Sequence, residues 1–298
     1  MKLDKSARPP FDSHYTQAQT TAELSWLASA PLIYSSNPSA SLVSVNRPKT
    51  SYFGTPLKQL HRLGIHFEEL YRIYLENTPE VTDIYDHIQI NETGKTLGEA
   101  DFLLSQNGEL THLEIAIKFY LKTTDTGSLF DYHGPSLSDT LGRKVSHLVD
   151  HQLELFNQPA AIVKLQSLGI ALSPDTPINK LGLIYGWLFY HISELNSPHH
   201  QALSPNAQRG AWCETSEFES FISTLPQSCR FLVPHRSEWL IPASRQRAIS
   251  YSTSEILAML DDRMKPTQIW AVMGEGVSRQ MLQRIFVVSA DWRTKAMC

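Results

Sequence analysis

Between Leu57 and Glu76 the apolar residues Leu60, Leu63, Phe67, Leu70 and Tyr74 recur at helical spacing, which predicts a helix there. Glu69 shares a face with Arg62, His66 and Glu76 and is expected to be solvated. Glu68 breaks the pattern, a charge on a stripe shared with Gly64, Tyr71 and Leu75. After "DIYDHIQIN", which reads as a strand, residues 98–120 alternate apolar and polar positions around Asn107-Gly108. That dipeptide favours a two-residue type I′ turn, because both turn positions need φ > 0. The resulting register pairs Gln106 with Glu109, Leu103 with His112, Asp101 with Glu114 and Glu99 with Ala116. Strand alternation then turns Ala100, Phe102, Leu104, Leu113, Ile115, Ile117 and Phe119 to the core. Glu99, Asp101 and Leu103 share the other face with His112, Glu114, Ala116, Lys118 and Tyr120.

A second helix is predicted from Leu137 to Phe156, with Leu141, Val145, Leu148, Gln152 and Leu155 on one face and Lys144, His147 and His151 on the next. Gln152 interrupts the apolar stripe. The i, i+4 histidines could ligate a metal, but "HLVDH" lacks the glutamate of a zinc-protease helix, and surface histidines are the simpler reading. Beyond Pro174, short apolar runs separated by loops predict a β-rich region holding Trp187, Trp212, Trp239, Trp270 and Trp292, read as core packing rather than a base-stacking platform. The organisation expected is an N-terminal arm over 1–50, weakly ordered or packed on the core, a core over 51–170, and a C-terminal β-rich extension of the same domain over 171–298.

Composition narrows the function classes. The 298 residues are 42% hydrophobic with a formal net charge of −4, so the chain can bury a large core and carries no bulk basic footprint for nucleic acid. Any such binding is local. No apolar run is long enough to span a membrane, and no signal-peptide pattern is present, so no membrane partner and a cytoplasmic location are expected. Three cysteines without C-x-x-C spacing argue against a disulfide framework or a structural zinc. No P-loop, dinucleotide fingerprint or G-x-S-x-G elbow occurs.

The hairpin carries the chemistry. Like charges directly opposed across an antiparallel pair are destabilising, so Asp101 opposite Glu114 needs a reason. One is a divalent cation such as Mg²⁺ or Mn²⁺ between the two carboxylates, since hard cations take oxygen ligands and bind through one or two acids plus substrate phosphates. The other is a solvated face on which Lys118 neutralises part of the charge.

A helix with a partly buried Glu, a hairpin with an acid, a strand with acid and lysine, and a further helix resemble the PD-(D/E)XK nuclease-like superfamily in order of parts. More closely, "LGIHFEELYRIYL", "TLGEADFLL", "HLEIAIKFYL", "GPSLSDTLGRKVSHLVDHQLEL", "GWLFYH", "RGAW" and "EWLIPA" resemble the bacterial family catalogued as domain of unknown function 1853. The superfamily resemblance implies an α/β, restriction-endonuclease-like mixed sheet flanked by helices. It also implies a metal between acids of neighbouring strands, polarising a scissile phosphate beside a lysine. On matching positions Asp101 is the first metal ligand, Lys118 the amine and Glu68 the helix acid. The second acid normally lies two residues before the lysine, where this chain has Ala116. Glu114 lies about 13 Å from Lys118 along the strand, too far to share one small ion with it easily. Opposed to Ala116, Glu99 is the acid expected to compensate. The expected function is a Mg²⁺-dependent phosphodiesterase acting on nucleic acid, with Asp101 and Glu114 as ligands, Glu68 and Glu99 assisting, and Lys118 as phosphate partner. The alternatives are a non-catalytic nuclease-fold module that binds nucleic acid or assembles with protein, and a purely structural protein.

Overall fold

The computed structural model describes residues 17–38, 57, 62–170, 176–260 and 265–297. Leu60, most of the expected arm and the start of the first predicted helix lie outside them. The chain opens with helix α1 (Gln17–Leu27), strand β1 (Leu32–Ser35) and helix α2 (Leu63–Glu76). A meander follows, of β2 (Val81–Glu92), β3 (Lys95–Gln106) and β4 (Glu109–Lys122), then the short β5 (Tyr132–His133). Helices α3 (Leu141–Asp150) and α4 (Pro159–Ser167) lead to β6 (Ile178–His191) and β7 (Gln208–Glu214). The C-terminal part holds α5 (Thr215–Ile222), β8 (Arg230–Leu232), β9 (Ser250–Tyr251), α6 (Thr253–Met259), β10 (Thr267–Met273), β11 (Gln280–Val288) and α7 (Trp292–Ala296).

All of these strands join one sheet, in the order β2-β3-β4-β6-β7-β11-β10-β8-β9, with β1 beside β6 and β5 beside β4. β2, β3 and β4 pair antiparallel, whereas β4–β6, β6–β7 and β7–β11 are parallel. The β-rich C-terminal region therefore continues the sheet that the hairpin begins. Parallel strands covered on both faces read as unbroken apolar runs, and "LGLIYGWLFY" in β6 is such a run. One face packs α2 residues Phe67, Leu70 and Tyr71 against Leu113, Ile115 and Trp187; the other packs Leu141, Leu148 and Leu153 against Tyr120, Ile184 and Leu188. The five tryptophans of the C-terminal half are buried, as packing requires.

Two two-residue turns build the meander. Asn107 (φ 50°) and Gly108 (φ 82°) join β3 to β4 with Gln106 opposite Glu109, as the dipeptide predicts. Thr93 (φ 47°) and Gly94 (φ 81°) do the same between β2 and β3, a turn the residue pattern did not flag. The second predicted helix is divided. Thr140 caps α3, His151 leaves helical geometry, and residues Gln152–Asn157 form a separate 3₁₀ turn. The break is what lets Gln152 aim back at the sheet.

The expected face assignment fails at one place. The β3–β4 ladder runs from Gln106–Glu109 only to Phe102–Leu113, so Asp101–Glu114 and Glu99–Ala116 are not ladder pairs. On β3, Phe102 and Leu104 face the α2 side, while Ala100 lies with Leu103 on the other, an odd separation. On β2, Tyr85 and Ile88 share a face across the same odd interval, and His87 between them has φ 49°. Both strands thus slip by one residue in their alternation at His87 and Asp101. A one-residue slip sends every later side chain to the opposite face. Glu99 consequently turns toward α2, whereas Ala116 packs on the far side beside Tyr120 and Ile184. The facing of Glu99 and Ala116 inferred from ideal alternation is therefore incorrect.

Candidate acidic site at the sheet break

Where the ladder opens, carboxylates replace the missing backbone bonds. The Ile115 N–H donates to Asp101 Oδ2 at 2.9 Å, and the Asp101 N–H donates to Glu114 Oε1 at 3.3 Å. Each acid caps the other strand. Glu114 is only 1% exposed, accepts from Gln152 Nε2 at 2.6 Å, and shares a hydrogen bond with His112 Nε2 at 2.8 Å. Lys144 Nζ donates to Gln152 Oε1 at 2.8 Å and so fixes which end of the amide faces Glu114. His112 is buried with the edge of Phe156 against its ring, and burial pushes it down to about 4. The His112 ring is therefore uncharged at physiological pH, and its contact with Glu114 is a hydrogen bond rather than an ion pair.

Three acids respond to this setting. Asp101 is pushed up to about 7, first by burial and then by Glu114. Glu114 also rises to about 7, chiefly through burial, with the Asp101 N–H and Lys144 pulling the other way. Glu68, half-buried on α2, rises to about 7 through burial, Asp101 and Glu99, with His87 opposing. Two carboxyls in contact cannot both ionise freely, so Asp101 and Glu114 titrate as a pair that shares a proton near neutrality. The structure brings Glu68, Asp101 and Glu114 into one field across the break. Glu99 stands at its rim, half exposed, with His87 Nδ1 3.3 Å from its Oε1.

Lys118 lies on the α3 side, but its nearest acid is one the sequence reading did not name. Its Nζ donates to Asp139 Oδ2 at 2.8 Å, and the Tyr120 hydroxyl donates to the same oxygen at 2.9 Å. Lys144 stands between the two groups. Burial and Lys118 lower it, while Asp101, Glu114 and Asp139 raise it. Asp139, Lys144, Gln152 and Tyr120 are the site residues missed. The signal for Gln152 was present as a polar residue on an apolar stripe; Asp139 sits in a loop that no periodicity addresses.

Glycines fit β6 against this strand. Gly186 lies beside Lys118 with φ +126°, and a Cβ there would sit 1.8 Å from the Lys118 carbonyl oxygen. His147 and His151, read from the sequence as surface histidines rather than metal ligands, stack with ring centres 4.9 Å apart. Among the described residues, no group of three or more His, Cys, Asp or Glu side chains is placed to hold a metal ion. The groups at the break are oxygen donors, the Asp101 and Glu114 carboxylates, with Glu68 in the same field.

A family model described as "Domain of unknown function (DUF1853)" matches residues 7–291. No curated protein and no solved structure matches the chain.

Proposed function

We propose that this chain, which belongs to the DUF1853 family, is a Mg²⁺- or Mn²⁺-dependent phosphodiesterase acting on nucleic acid, with Asp101 and Glu114 holding the ion. The observation that carries the reading is the trio Glu68, Asp101 and Glu114, all driven to about 7 in one partly buried field. Such a set is costly without a counter-charge, and a divalent ion supplies one in place of the shared proton. The element order also supports the PD-(D/E)XK resemblance: a helix, a three-stranded antiparallel meander, a helix, and a strand parallel to the third.

A bound ion would polarise a phosphoryl oxygen as a Lewis acid. The chain's own groups do the rest. Gln152 and His112 keep the Glu114 carboxylate pointed at the break, and Lys144 fixes Gln152, so the ligand geometry is set before any ion arrives. Lys118, held in direction by Asp139, offers an ammonium to charge that develops on phosphate. Glu68 borders the opening from the α2 side.

Three observations favour a second reading, a non-catalytic binding or assembly module. Lys118 is already paired with Asp139, Glu114 already makes three hydrogen bonds, and Ala116 stands where the superfamily has its second acid. Thermal unfolding with millimolar Mg²⁺ or Mn²⁺ and cleavage of plasmid, single-stranded and branched DNA distinguish the two. The expected result is metal stabilisation lost in Asp101→Asn, with cleavage lost but metal stabilisation kept in Lys118→Met. Metal stabilisation without cleavage of any substrate moves the assignment to the binding module; no stabilisation removes the metal site.

A further inference from the structure

On the sheet face that carries α2, Trp187 of β6 pairs with Gln208 of β7, and Arg284 of β11 pairs with Trp270 of β10. Arg284 is 8% exposed, and its guanidinium carbon lies 3.8 Å from the Trp187 ring centre and 4.1 Å from that of Trp270. Among the described residues its Nη1 is buried without a hydrogen-bond partner, and none of their acids offsets the burial that pushes its pKa down. A buried cation held only by aromatic faces is retained against a large desolvation cost.

Arg284 faces a cavity of about 370 Å³. Among the described residues the wall includes Arg209, Arg279 and Arg284 and no Asp or Glu, in a chain whose net charge is negative. Arg209 is engaged elsewhere, donating to the Leu195 and Ser197 carbonyls and stacking on Tyr190. Arg279 spends Nη1 on the Gln246 carbonyl at 3.1 Å, but its Nε is buried and unpartnered. Trp26 Nε1 and Gln208 Oε1, on the same wall, are also buried and unpartnered. Buried polar atoms are as a rule satisfied, so three donors and one acceptor around a single cavity, all without a partner among the described residues, suit a polar ligand there.

We infer that this cavity binds a small phosphate-bearing molecule, with Arg284 and Arg279 on the phosphate oxygens, the Trp26 N–H as a third donor, and Gln208 accepting from a ligand hydroxyl. Phosphate suits the wall better than carboxylate. It carries up to two charges against two guanidinium groups and offers three acceptor oxygens to three donors. Clamped between two indoles, Arg284 is already oriented, so little side-chain entropy is lost on binding. The site uses none of the acidic residues at the sheet break, and its test is independent of that chemistry.

Isothermal titration and thermal unfolding of the full chain in EDTA, with inorganic phosphate, adenosine 5′-monophosphate and succinate at matched ionic strength, decide the matter. A phosphate probe at about a hundred times its Kd raises the wild-type Tm by on the order of 5 °C. Arg284→Met abolishes that shift while unfolding near the wild-type temperature in phosphate-free buffer, because it removes an unpaired buried charge. Arg279→Gln, at a part-exposed position, weakens phosphate binding at least about tenfold and keeps the inference testable if Arg284→Met fails to fold. The inference is overturned by no phosphate effect beyond chloride, by an equal effect in Arg284→Met, by wild-type affinity in Arg279→Gln, or by succinate matching phosphate.

Discussion

Replacing Glu114 by glutamine removes one charge from the sheet break with almost no change in shape. The folded carboxyl titrates near 7 against an ordinary value of 4.5. Between those two values the native state holds more protons than the unfolded chain, so wild-type stability falls as pH rises through this window and levels off above it. A displacement of that size corresponds to about 3 kcal/mol for an isolated group, and because Glu114 is 1% exposed, solvent screening gives no further discount. Asp101 shares the titration, which reduces the part belonging to Glu114 to roughly 2 kcal/mol. The amide also loses one acceptor for Gln152 or His112, but that cost of about 1 kcal/mol is much the same at every pH and cancels in the comparison. Urea unfolding in EDTA at a series of pH values from 4.5 to 8 measures the difference directly. The Glu114→Gln variant should gain about 2 kcal/mol on the wild type between the two ends. Divalent ions should stabilise the wild type and not the variant. Parallel pH profiles for the two proteins would refute the buried-carboxylate account.

Lys144 pulls both carboxyls down, so Lys144→Met should move the midpoint of Mn²⁺ binding to higher pH by roughly half to one unit, read by titration calorimetry across pH. Gly186→Ala forces a methyl onto the Lys118 carbonyl at a φ of +126° and should destabilise by about 3 kcal/mol or more in urea. Gly108→Ala, with open space around a φ of +82°, should cost only about 1 kcal/mol.

The hairpin was legible because a two-residue turn with Asn-Gly at its tip leaves little freedom, and the observed register near the turn is the one the dipeptide dictates. The helix bearing Glu68 was legible from its apolar spacing, and the tryptophans from their burial. Reading failed where local rules stop being local. Ideal alternation carried Glu99 to the wrong face, because the slip at His87 and Asp101 depends on two strands adjusting together. Asp139 reaches Lys118 from a loop, and Gln152 reaches Glu114 only because the helix breaks before it. The parallel strand that backs the site, β6, lies beyond the segment read as the core. Its pairing with β4 is a long-range choice that no window of sequence displays.

The pairing of β1 with β6 has a consequence for how the chain is made. Leu32, Tyr34 and Ser35 sit against Tyr185, Ile184 and Leu183, and Ser36 exchanges hydrogen bonds with Gly182. These partners are about 150 residues apart, a separation that makes their meeting a slow, late event in folding. On the ribosome, β1 therefore waits for about 150 further residues before it finds its place. Until then the first half of β6 keeps one edge open in the middle of what will become the sheet. β1 is the strand that covers this edge of β6, and a chain halted before β6 leaves the β6-facing edges of both β1 and β4 unpaired at once.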